Sequence, residues 1–123
     1  IAEEVVDNLL AYHHTMNPAG FGAIGAETFV DDWRSYYRPI VNSIFEKAKL
    51  MLEQGKMYPE ALRIMESAIE RYDDIFYLPI TEARLIHGDY NMWNIMVDES
   101  VEHACAAIDP YNCCYAEFNS GFN

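Results

Sequence analysis

Apolar residues recur at helical spacing through the first two-thirds of the chain, then shift to short strand-like runs. Ile1, Val5, Val6, Leu9, Leu10 and His13 predict a first helix over residues 1–14 with one buried face. The stretch TMNPAGFGAIGAE, residues 15–27, breaks the pattern with proline and glycine and reads as a loop. Trp33, Tyr37, Ile40, Val41, Ile44, Phe45, Ala48, Met51 and Leu52 then form a long helical stripe. Thr28 is the expected cap of that helix, with Asp31 completing an approximate capping box. Asp31 and Asp32 near its start and Lys47 and Lys49 near its end suit the helix dipole. Pro39 lies mid-stripe and predicts a kink, or a split near Tyr36, because it removes a backbone hydrogen bond and crowds the preceding turn. Gly55 ends the helix. A third helix starts at Pro59 and carries Leu62, Met65, Ile69, Tyr72 and Phe76, until Pro79 closes the helical part.

Beyond Pro79 the pattern changes. Ala83-Arg84-Leu85-Ile86 is short and apolar enough for a buried strand or bridge. Asn94–Asp98 and Ala104–Asp109 read as two strands joined by the polar turn Glu99-Ser100-Val101-Glu102-His103. That hairpin would bring Asn94 and Asp109 to the same end. No linker, repeat or low-complexity segment divides the chain, and 123 residues fit one domain or part of one.

The chemistry gathers at His87-Gly88-Asp89-Tyr90-Asn91-Met92-Trp93-Asn94 and at Ile108-Asp109-Pro110. An H-x-D frame, an asparagine five residues after the aspartate, and a second aspartate ending the following apolar strand make the pattern of a kinase catalytic loop. Phosphoryl transfer asks a protein mainly for positioning and for neutralising charge. An ionised aspartate accepts a hydrogen bond from the attacking hydroxyl. A carboxylate and an amide carbonyl suit Mg²⁺, a hard cation that takes oxygen ligands.

These residues carry a resemblance. LIHGDYNMWNIMVDE followed by AAIDPYNC resembles the aminoglycoside phosphotransferase and fructosamine kinase group, small-molecule kinases with a protein-kinase-like fold. The specific resemblance covers residues 85–110. It implies that Asp89 is the catalytic base, that Asn94 and Asp109 are the magnesium ligands, and that His87 packs to order the loop. Pro110 departs from the D-F-G of protein kinases and the I-D-W of many aminoglycoside kinases; I-D-P is closer to the fructosamine kinases. Tyr90 and Asn91 stand where many relatives have Leu and another residue, so the acceptor stays open among amino sugars, fructosamines, choline-like amines and homoserine-like amino acids. The implied fold is α+β: a mostly helical C-terminal lobe with a small antiparallel hairpin bearing the catalytic and metal-binding loop. Residues 1–80 would be its helical part, and 81–123 the catalytic loop, hairpin and start of an activation-like segment. Both ends read as cuts through a larger protein, with the ATP-binding N-lobe outside the chain. The whole protein would be an ATP-dependent small-molecule phosphotransferase, and the isolated chain would have negligible activity. Two other classes remain open: a catalytically idle kinase-like binding module, and a helical interaction domain with a chance H-G-D.

Composition narrows the partners. With 51% hydrophobic and 14% aromatic residues the chain can bury a core. A net charge of −12 argues against nucleic acid and anionic membranes and would suit a cationic acceptor. No apolar run is long enough to span a membrane. Cys105, Cys113 and Cys114 imply no disulfide framework and read as reduced thiols in a cytoplasmic protein. Gly20-Phe21-Gly22-Ala23-Ile24-Gly25 is formally G-x-G-x-x-G, but it follows a helix and a proline rather than a strand, so it reads as a turn-forming loop. His13 and His14 are adjacent on a helix and point apart, so they read as a helix end with one half-buried histidine rather than a metal pair.

Overall fold

A computed structural model describes residues 1–117. The last six positions of the expected lobe, 118–123, lie outside the described residues. Helix α1 spans Ala2–His14 and turns Val5, Leu9, Tyr12 and His13 inward. His13 is half-buried and His14 exposed; burial, with Arg84 and His14 adding to it, holds His13 below the usual histidine range.

The next segment is not a plain loop. It contributes two-residue strands β1, Met16–Asn17, and β2, Gly22–Ala23. They join β3, Ala83–Ile86, and β6, Cys114–Ala116, in an antiparallel sheet of order β1-β3-β6-β2. Arg84 faces Met16 on one side and Ala116 on the other, and Ile86 faces Cys114. Phe21, Ala83 and Ala116 are buried at this sheet and form its core.

Phe21 is also bridged to Val30, through Phe21 N–H to Val30 O at 2.8 Å and Val30 N–H to Phe21 O at 3.0 Å. That bridge keeps the chain extended past Thr28, which is therefore not the cap of the second helix. Helix α2 starts later, at Trp33, and runs to Glu53. Its cap is Asp32, whose Oδ1 accepts from the Ser35 N–H at 3.0 Å. The Ser35 hydroxyl first, and that backbone bond second, lower the Asp32 carboxyl from its ordinary value. Pro39 does not split the helix. The helix runs unbroken through the proline, with one backbone bond missing, and packs on α3. At the far end Gly55 adopts φ +68°, its N–H reaching Leu52 O and the Lys56 N–H reaching Met51 O, a Schellman closure.

The third helical stripe is carried by two helices, α3, Pro59–Glu70, and α4, Tyr72–Ile75, which part at Arg71. An aromatic chain ties them to the sheet. Phe21 meets Trp33, Trp33 stacks on Tyr37 at 4.9 Å, Tyr37 meets Phe76, and Phe76 meets Tyr72 at 4.7 Å. The buried Tyr72 hydroxyl donates to Arg34 O at 2.8 Å. Arg38 lies over the Tyr72 ring and pairs with Asp73.

The second sheet is the expected hairpin, β4, Ile95–Val97, and β5, Ala104–Ala107, in register Ile95 to Ala107. The α+β class and small antiparallel hairpin match the expectation. Among the described residues no helix is long and apolar enough to cross a membrane.

Candidate active site

Strand β3 delivers the H-G-D segment. His87 follows its last residue and is fully buried, its ring edge-on to Tyr12 at 5.6 Å and to Tyr90 at 5.5 Å. Neither ring nitrogen has a hydrogen-bond partner among the described residues. The imidazole therefore acts by packing. Gly88 then turns with φ +82°, and a Cβ there would lie 2.5 Å from Asn112 O. This close approach lays the loop against the segment that follows Asp109.

Asp89 is exposed and its carboxylate is held at both oxygens. Oδ1 accepts from Asn91 Nδ2 at 2.8 Å, and Oδ2 from Asn94 Nδ2 at 3.1 Å. The Asn94 amide also donates to Asp89 O at 2.8 Å. Asn94 closes a single 3₁₀ turn, Met92–Asn94, capped by Asn91, whose Oδ1 accepts from Trp93 N–H at 2.9 Å. One helical turn is what lets a five-residue spacing fold an asparagine back onto its aspartate.

Asp109 arrives from the other strand of the hairpin. Ile108 N–H donates to Asn94 O at 2.8 Å, so Asp109 follows directly on a residue paired with Asn94. Its φ of +59° is left-handed, a region aspartate tolerates better than most residues. Pro110 O then accepts from Cys113 N–H at 3.0 Å, and this turn returns the chain to β6. The structure thus brings Asp89 and Asn94 into direct contact and sets Asp109 at the same end of the hairpin.

The donor set fits a magnesium ion. Asn94 spends its nitrogen on Asp89, and its Oδ1 accepts no hydrogen bond among the described residues; neither does the Asp109 carboxylate. One amide oxygen and one carboxylate are hard ligands, and Mg²⁺ is commonly held by few protein oxygens together with substrate phosphates and water. No cluster of three or more His, Cys, Asp or Glu suited to a metal occurs among the described residues.

Two loop residues had no role assigned from the sequence. The Tyr90 hydroxyl lies 2.8 Å from Val5 O and 3.0 Å from Asn8 Oδ1, and its one proton ties the loop to α1. Burial, with Tyr12 adding to it, pushes the Tyr90 phenol up, so it stays a donor. Asn91 links the Asp89 carboxylate to the 3₁₀ turn. The only sequence signal for Asn91 was an asparagine two residues before a backbone N–H it could cap. Helix α1 also holds the hairpin: Glu4 Oε2 accepts from Ala104 N–H at 2.9 Å, and Oε1 meets His103 Nδ1 at 2.7 Å. All three cysteines are free, and burial pushes Cys113 and Cys114 up.

An aspartate with an asparagine five residues on, and a second aspartate further along, is the set that protein kinases use for phosphoryl transfer. The sequence profile of the phosphotransferase enzyme family matches residues 1–118, nearly the whole chain, and the chain belongs to that family. The resemblance to aminoglycoside phosphotransferases drawn from residues 85–110 is thereby borne out. No curated protein and no solved structure matches the chain.

Proposed function

We propose that the protein carrying this chain transfers the γ-phosphoryl group of ATP to a hydroxyl of a small molecule. Asp89 is the base, and Asn94 and Asp109 hold Mg²⁺. The observation that carries this reading is the double hold of the Asn94 amide on Asp89, made while the hairpin bond from Ile108 keeps Asp109 alongside. In the reaction the acceptor oxygen bonds to the γ-phosphorus as the β–γ bridging bond breaks. ADP leaves, and the hydroxyl proton passes to Asp89. Magnesium, when bound, neutralises the phosphate charge.

Two further features support the reading. Met96 and Ala106 are paired across the hairpin, and one step further along the Ile108 N–H donates to Asn94 O at 2.8 Å. Met96 is 49% exposed and Ile108 43%, which supports an apolar platform for a flat heterocycle beside the metal ligands. The net charge of −12 favours a cationic acceptor: an amino sugar, a fructosamine or a choline-like amine.

The test is ADP release by the protein with Mg·ATP and, in turn, kanamycin, fructosyl-lysine and choline. Turnover with one of them is expected, and Asp89→Asn should lower kcat by about 10²–10⁴-fold, the usual worth of a positioned base. An Asp89→Asn variant as fast as the parent would reject the assignment.

A further inference from the structure

We infer that Asn91 is a positioning residue for phosphoryl transfer, acting through Asp89; the inference rests on the function proposed above. The torsion that rotates an aspartate carboxylate about its own axis is soft. A base aimed at one hydroxyl therefore needs donors on both oxygens, or its lone pairs sweep past the acceptor. Asn94 supplies one donor, on Oδ2, and Asn91 supplies the other, on Oδ1 at 2.8 Å. Each carboxylate oxygen keeps a further lone pair for the acceptor proton.

The orientation of Asn91 is itself fixed. Its Oδ1 accepts from the Trp93 N–H at 2.9 Å, and a backbone N–H can only donate. The oxygen must face Trp93, which leaves the nitrogen facing Asp89. The same side chain therefore aims the base and caps the turn that presents Asn94. Neither the H-x-D frame nor the Asn94 position requires an amide here, so this clamp belongs to this chain's own loop.

A residue that only capped the turn would need its oxygen alone, and this separates the two roles. Asn91→Ser and Asn91→Asp both keep an acceptor for Trp93 N–H. Asn91→Asp has no donor left for Asp89 and adds a like charge beside it, whereas Asn91→Ser exchanges the amide's N–H donors for a single O–H on a shorter side chain. The assay is ADP release from Mg·ATP with water as the acceptor, run on the complete protein, with melting temperature measured alongside. Asn91→Ser is expected to lower kcat about tenfold, Asn91→Asp more, with the KM for Mg·ATP and the melting temperature near those of the parent.

If both variants turn over at the parent rate while Asp89→Asn is inactive, Asn91 is a cap only and this inference alone is overturned. A fall in kcat that tracks a loss of melting temperature in both variants has the same meaning. Should Asp89→Asn match the parent rate, the phosphotransfer reading itself fails and takes the inference with it.

Discussion

Gly88→Ala tests whether the 87–94 loop is pinned against the segment after Asp109. Two costs add at this position. The backbone φ is +82°, where an L side chain pays roughly 1–2 kcal/mol. A Cβ would also lie 2.5 Å from Asn112 O and 2.6 Å from both Asn112 C and Asn112 Cβ. Backbone atoms in a turn yield less readily than a flexible side chain, so the overlap adds about 1–3 kcal/mol. The sum is about 2–5 kcal/mol. Gly55→Ala is the matched control, since its φ is +68° with nothing within 4 Å of a Cβ. It should cost only the backbone share, roughly 1–2 kcal/mol. The assay is equilibrium urea unfolding of both variants, with phosphotransfer measured in parallel. Gly88→Ala should be the less stable, and it should also lose activity, because any relief of the overlap moves Asp89. Gly55→Ala should keep its kcat. Equal destabilisation by the two substitutions would mean that Asn112 gives way freely, and the fixed approach of the two segments would be refuted.

The clasp between α1 and the hairpin should depend on pH. The Ala104 N–H first, and His103 second, lower the Glu4 carboxyl from 4.5 to about 2. Because the folded value is the lower one, the clasp stabilises fully above pH 4.5 and is lost as the pH falls toward 2. The urea midpoint of the parent should therefore fall toward that of Glu4→Gln across this window, and a constant gap between them would contradict it. Tyr90→Phe should cost about 1 kcal/mol, the worth of one hydrogen bond, and speed amide exchange in the 87–94 loop. Unchanged exchange would mean that the ring alone, without its hydroxyl, holds the loop to α1.

What could be read in the sequence was local. Asp89 and Asn94 stand five positions apart, close enough for the single 3₁₀ turn Met92–Asn94 to fold one onto the other. The β4–β5 hairpin announced itself by two apolar runs around a polar turn, and Gly55 by its place after a long stripe. What escaped was set by partners far along the chain. Strands β1 and β2 have two residues each, too few for any period, and exist because β3 and β6 offer them backbone groups. Strand β6 lies in a Cys-Cys-Tyr-Ala run with no alternation, so nothing local marks it as a strand. Thr28 and Asp32 are both good caps; the bridge between Phe21 and Val30 decides for Asp32. Arg71 separates α3 from α4 although the stripe runs on through Tyr72 to Phe76.

The candidate site divides along the same line. Asp89 and Asn94 are joined by short-range bonds that would persist wherever the loop keeps its 3₁₀ turn. Among the described residues, no bond of its own carboxylate holds Asp109 to them. Its place depends on the β4–β5 register on one side and on the meeting of Gly88 with Asn112 on the other. The first is steadied by Glu4 from α1, the second by the pairing of β3 with β6. Both closures join residues near the start of the chain, or in its middle, to residues near its end. The proposed base and one proposed metal ligand are therefore a property of the loop, whereas the second proposed ligand is a property of the fold. A perturbation of α1 or of β6 should separate Asp109 from Asn94 while leaving Asp89 and Asn94 bonded. Such a perturbation should weaken magnesium dependence before it abolishes the positioning of the base.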